Sequence, residues 1–234
     1  MRRARDAVLE RIAAAARAAG RDPDAIRVVA VSKGFGAERV RVAVEAGLTT
    51  LGENRVQEAA AKIPQVPGAT WHLVGPLQSN KARRAVELFD VIESVDSADL
   101  AVRLGRLALE TRAARPLPVF LQVNVDADPA KAGFSPTALG AALPDLLEIA
   151  GLRIEGLMTV GRLVDRPEAA RPTFQALRTL SERLRATNPR LGPELSMGMS
   201  DDYAVAIEEG ATTVRIGRAL FGKRPAAGEQ LGAG

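Results

Sequence analysis

The chain has 234 residues, of which 47% are apolar and 26% charged, a make-up that suits one large globular domain or two small ones. Without cysteine and with a single histidine it excludes a disulfide framework, a thiolate nucleophile and a cysteine-ligated metal, and it makes no case for a histidine metal cluster. The net charge of +4 is carried mostly by arginines dispersed among acids in no run longer than a doublet; with aromatics at 3%, this argues against nucleic-acid binding.

The first twenty residues are Arg-rich and repeat apolar positions at Val8, Ile12, Ala15 and Ala19, the spacing of an amphipathic helix. Asp6 and Glu10 separate it from the acid-poor targeting peptides it imitates. No stretch reaches the roughly 18 apolar residues of a membrane span. The expectation is a cytoplasmic protein with no membrane contact.

From residue 26 onward, short apolar runs alternate with longer helical patterns. The predicted strands are 26–33, 49–53, 70–75, 91–95, 117–125, 152–160, 194–199 and 212–217. Several are apolar on both faces, as in a parallel sheet covered on both sides. Between them lie helical repeats such as Val40/Ala43/Val44, Leu100/Leu104/Leu107 and Leu139/Leu143/Leu146, while 55–63 is helical mainly by propensity. Eight strand–helix units after one extra helix match a single (β/α)8 TIM barrel with an added N-terminal helix. A doubly wound open sheet has the same periodicity and remains the alternative. The domain is expected over 1–224, with a flexible tail over 225–234.

A barrel of this kind keeps its chemistry at the C-terminal ends of its strands. Those ends carry Lys33, then Glu53, Asn54 and Arg55, then His72 and Gly75, Ser94 and Asp96, Asn124, Met158 and Thr159, Ser196 to Ser200, and Arg215 with Gly217. Only five lysines occur in the chain, and Lys33 closes the apolar run VVAVS. An amine desolvated there could form a Schiff base with an aldehyde, and a strand-end lysine reaching to solvent is the plainer alternative. The small-residue loop 196–202 and the turn at Gly217-Arg218 could seat a phosphate on backbone amides; alternatively, Ser200 is only a helix N-cap. Ser79 is expected to cap the helix after Gly75-Pro76, and His72 alone suits a buried structural histidine as well as a functional one.

Six segments together resemble a known family: AVSK (30–33), GENRVQE (52–58), WHLVGPLQSNK (71–81), GLMTV (156–160), SMGMSDD (196–202) and VRIGRALFG (214–222). Their order and spacing are similar to those of the pyridoxal 5′-phosphate (PLP) homeostasis proteins, also called PLP-binding or proline-synthetase co-transcribed proteins. These are related to the N-terminal barrel of alanine racemase, and the similarity covers roughly 5–224. The resemblance implies that Lys33 holds PLP as a Schiff base. It implies that Ser196, Ser200, Arg215, Gly217 and Arg218 surround the phosphate and ring, and that Asn54, His72 and Met158 line the other side. An arginine at the position of Arg215 would face the pyridine nitrogen and disfavour its protonation, restraining the electron-sink chemistry of the cofactor.

The same resemblance implies buffering and delivery of PLP within the cell, possession of no robust catalysis, no metal, and a monomer whose partners are PLP and apo PLP-dependent enzymes. The racemases pair their barrel with a second domain and an opposing tyrosine, and here the only tyrosine is Tyr203, on a helix after the 196–202 loop. A PLP-dependent amino-acid racemase or lyase is the alternative. Three departures from the family stand out. Gly34-Phe35-Gly36 follows Lys33 and suggests a looser loop, Arg218 replaces a hydroxyl residue, and 161–168 matches poorly.

Overall fold

The computed structural model describes residues 1–112, 115–161 and 164–223. Eight parallel strands pair in sequence order and close between the first and the last. They are β1 (Arg27–Val31), β2 (Thr50–Glu53), β3 (Thr70–Leu73), β4 (Val91–Val95), β5 (Leu117–Gln122), β6 (Leu152–Met158), β7 (Glu194–Ser196) and β8 (Thr213–Ile216). The closing seam sets Val29 against Arg215 and Ala30 against Ile216. That pairing decides for the barrel over the open sheet. The predicted strand 91–95 agrees with β4, whereas six of the others overrun at their C-terminal ends, where the backbone turns out of the ladder to build the mouth. The expected tail 225–234 lies outside the described residues, as do 162–163 within the poorly matching 161–168 loop.

The helices following the strands are α2 (Ala37–Glu45), α3 (Val56–Lys62), α4 (Ala82–Leu88), α5 (Ala98–Thr111), α6 (Pro136–Leu147), α7 (Arg171–Thr187), α8 (Tyr203–Glu208) and α9 (Arg218–Phe221), after the N-terminal α1 (Arg2–Ala18). Helix α1 buries Val8, Ile12, Ala15 and Ala16. It packs on α8 and α9, outside the seam. Ala19, expected on that buried stripe, follows the helix end, so Ala16 takes its place. Arg21 donates to the Ile207 carbonyl at 2.6 Å and fastens the end of α1 there.

Most of the core lies between the barrel wall and the helices, where Ala30, Leu51, Trp71, Leu73, Ile92, Leu121, Leu157 and Val214 meet the buried helix faces. The inner face of the barrel is separate and holds Val29, Val31 and Val74. A β-carbon on Gly52 would come within 2.8 Å of Val29, so only glycine leaves room for the first strand's inner valines. Gly156 is tighter still: a β-carbon there would stand 1.9 Å from the Glu194 carbonyl oxygen, and its absence lets β6 and β7 run side by side.

Candidate functional site

Strand alternation sorts the mouth residues onto two faces. His72 pairs in register with Gly52, and Arg215 with Val29, both inward positions. His72, Glu93, Ser196 and Arg215 then join into one buried chain across the barrel. His72 Nδ1 lies 2.6 Å from Glu93 Oε1. Ser196 donates its hydroxyl to Glu93 Oε2 at 2.5 Å. Arg215 Nη1 donates to Ser196 Oγ and Nη2 to the Thr159 carbonyl, each at 2.6 Å. The Arg215 guanidinium is 3.9 Å from Glu93. Strands β3 and β4 supply one end of this chain and β7 and β8 the other, a span available only through the barrel interior. Met158, fully buried, stands in register with Ser196.

Charge in this interior is balanced locally. Burial pushes the Glu93 carboxyl up, but the His72 hydrogen bond and charge, together with Arg215 and Ser196, outweigh burial and hold it below the usual carboxylate range. Burial lowers Arg215, and the opposing charges of Glu93 and Asp202 limit that fall. Glu93 was missed by the sequence reading, which picked Ser94 and Asp96 at the end of the same strand. Ser94 is buried and instead donates to the Gly75 carbonyl at 2.7 Å. Asp96 lies 3.2 Å from the Ser97 hydroxyl, which donates to it. Asn124 organises its own loop, donating to the Asp128 and Lys131 carbonyls and accepting from the Asp128 amide.

Lys33 follows β1 by two residues, is half-buried, and shares the inward parity of Val29 and Val31. Across the seam the end of β1 meets Gly217, whose absent β-carbon would stand 3.2 Å from the Val31 carbonyl oxygen. The lysine-bearing strand end therefore lies directly against the β8–α9 turn. That turn is tied to the loop after β7, because the Ala219 amide donates to Ser200 Oγ at 3.4 Å. Ser200 is thus not the cap of α8, which begins after Asp202. Asp202 is buried and accepts from the Met199 amide at 2.6 Å, folded back into its own loop. The exposed Arg218 pairs with the exposed Asp201, joining the same two loops at their rim.

The segment after Lys33 is fastened rather than loose. The Phe35 amide donates to the Ser32 carbonyl at 3.1 Å, the Gly34 amide to Glu58 Oε2 at 3.1 Å, and the Phe35 ring stacks on Phe221 with centroids 5.3 Å apart. Asn54 stands apart from the His72–Arg215 chain. It lines an open groove of about 740 Å3 with Arg55, Gln57, Pro76, Gln78 and Lys81. Glu53, expected at the mouth, turns outward beneath α3 and meets Lys62, which is buried. Ser79 caps nothing with its side chain and instead opens a short 3-10 turn, Ser79–Lys81. Tyr203 is buried outside the barrel, with Arg11 of α1 over its ring at 5.1 Å.

The donor set fits PLP: an amine at a strand end, two small-residue loops joined through a hydroxyl, and a buried guanidinium whose charge is balanced from behind. Among the described residues no group of three or more His, Asp or Glu side chains gathers as a metal site, and no helix is long and apolar enough to cross a membrane.

Known proteins share this barrel. Residues 4–225 match the family model of the alanine racemase N-terminal domain. The pyridoxal phosphate homeostasis protein of Pseudomonas aeruginosa is 44% identical over 222 residues, covering 93% of each chain. That of Escherichia coli is 38% identical, covering 93% of this chain and 94% of its own. The solved structure of PipY from Synechococcus elongatus with PLP bound is 43% identical, with a TM-score of 0.80 over 92% of this chain and all of that one. Alanine racemase of Clostridium difficile is 15% identical with a TM-score of 0.71; it covers 94% of this chain but 56% of its own and shares the fold.

Proposed function

The chain belongs to the pyridoxal phosphate homeostasis proteins, within the alanine racemase N-terminal domain family, and from that premise we propose that it binds PLP at Lys33 and buffers and delivers the cofactor inside the cell. The observation that carries this reading is the seam: β1 and β8 pair so that the end of the Lys33 strand abuts Gly217 and the loop pair joined by Ser200. Lys33 would hold PLP, whose aldehyde would supply the carbonyl for Schiff-base formation with the amine and loss of water. Ser200, Gly217 and the amides at the start of α9 would hold the phosphate, and Arg215 would face the ring. Ser196, the Thr159 carbonyl and Glu93 hold the guanidinium in place, while His72 and Met158 line the wall and Asn54 the rim beside the groove.

Arg218 contributes its backbone to this arrangement; its side chain is engaged with Asp201 at the rim. The absence of robust turnover is part of the proposal and is supported by Tyr203, the chain's one tyrosine, which is packed outside the barrel against α1. A cytoplasmic monomer serving apo PLP-dependent enzymes completes the reading.

The test is reconstitution with PLP, borohydride reduction and peptide mass mapping of the full chain and of Lys33→Ala. The expected result is a yellow protein with a pyridoxyl adduct on Lys33 and none in the variant. An adduct on another lysine, or none, overturns the site. Sustained Lys33-dependent turnover of an amino acid at about 1–1000 per second, the range of ordinary enzymes, overturns the carrier reading.

A further inference from the structure

Lys33 sits between two backbone positions that are both held by one helix. On its N-terminal side, the Ser32 carbonyl accepts from Lys62 Nζ at 3.0 Å. On its C-terminal side, the Gly34 amide donates to Glu58 Oε2 at 3.1 Å. Glu58 and Lys62 are four residues apart on α3, so they stand on one helical face, with their charged ends 3.7 Å apart. Glu53, at the end of β2, completes the arrangement. Its Oε1 accepts from both Lys62 Nζ and Ser32 Oγ at 2.6 Å.

This cluster is expensive for a helix–wall contact. Glu53 is fully buried and its Oε2 has no hydrogen-bond partner, and Lys62 is buried around it. Burying an ion pair with a carboxylate oxygen left unsatisfied does not in itself favour folding over an apolar contact of the same volume. Its geometry does something an apolar contact cannot do, because it fixes the peptide groups on both sides of one residue.

We propose that Glu58 and Lys62, with Glu53 behind them, are positioning residues that set the main chain of Lys33 and so the approach of its amine to an aldehyde ligand. This rests on the reading of Lys33 as the PLP lysine. The amine nitrogen, in its uncharged form, bonds to the aldehyde carbon; water leaves as C=N forms, and the reaction is productive only along a narrow line of approach. A lysine side chain has four rotatable carbons, and the clamp removes the additional freedom of its backbone before the ligand arrives.

The test compares two ligands on the full chain: PLP, and pyridoxine 5′-phosphate, which has the same ring and phosphate and no aldehyde. The primary variant is Glu58→Met, because Lys62→Met strands the buried Glu53 carboxylate. With the backbone hydrogen bond to Gly34 and the partly exposed pairing with Lys62 both removed, PLP affinity is expected to fall about fivefold and the rate of borohydride trapping at Lys33 to fall with it, while pyridoxine phosphate affinity stays within about twofold. Glu58→Gln keeps an acceptor oxygen for the Gly34 amide and should restore the PLP value. Equal losses for the two ligands, or no loss for either, overturn the clamp. Failure of the wild-type chain to form a Lys33 adduct is visible before any variant is compared; it overturns the PLP reading, and the clamp falls with it.

Discussion

Replacing Glu93 by glutamine tests whether the charge chain inside the barrel works as one unit. The substitution preserves shape and one acceptor oxygen, but it removes the negative charge and turns an amide NH2 toward a hydroxyl or imidazole that needs an acceptor. In the wild type that carboxylate receives Ser196 at 2.5 Å, lies 2.6 Å from His72 Nδ1, and stands 3.9 Å from the buried Arg215 guanidinium. Removing one member of a buried charge pair costs about 3–5 kcal/mol, because the partner stays buried and uncompensated. For a chain of this length that is a fall in Tm on the order of 10 °C. Urea unfolding of both proteins across pH gives a second readout. The Glu93 carboxyl titrates below its unfolded value, so its contribution is fully present above about pH 4.3, the unfolded pKa, and is lost as pH falls through the folded one. The stability gap between wild type and Glu93→Gln is therefore widest at neutral pH and closes toward acid. A loss below about 1 kcal/mol at neutral pH, the size of one ordinary hydrogen bond, would refute the reasoning. So would a gap of constant size down the acid limb.

Three further outcomes follow from other parts of the barrel. Phe35→Ala removes the stack on Phe221 and should cost about 1–2 kcal/mol, read by thermal unfolding, with faster proteolytic cleavage within residues 34–36. Gly156→Ala places a carbon 1.9 Å from the Glu194 carbonyl, and circular dichroism of the purified chain should show a protein that is unfolded or severely destabilised, by more than about 4 kcal/mol. Arg218→Ala breaks only an exposed pair with Asp201, so Tm should barely move, and a large drop would show that the rim pairing holds the two loops together.

The strands were legible because they leave local traces, apolar runs of the right length, and Lys33 stands out as a rare residue type at the end of one of them. The choice between barrel and open sheet had no such trace. It depends on Ala30 meeting Ile216, a pairing between opposite ends of the chain. Glu93 carried a weak signal, since it is an acid inside the otherwise apolar and small-residue run VIESV. Reading only the strand ends passed over it. Lys62 is indistinguishable in sequence from a solvated helix lysine; only the rotation of α3 against the wall turns it inward to Glu53. For Ser200 only the N-cap alternative falls, because a cap is a local pattern and the contact of its hydroxyl with the Ala219 amide is not.

The seam also sets an order of events in synthesis. The strands that lead to Lys33 and carry Arg215 pair across the seam, yet 182 positions separate the two residues in the chain. At about 5–20 residues per second, a ribosome exposes the lysine roughly 10–40 s before the arginine exists. Through that interval the amine has no facing strand, no Gly217 turn and no Ser200 loop, so an aldehyde cofactor meets an ordinary lysine. On the proposed reading, the last strand to be made turns this position into a receptor, and a chain truncated before β8 would have the lysine for the chemistry without the place to do it.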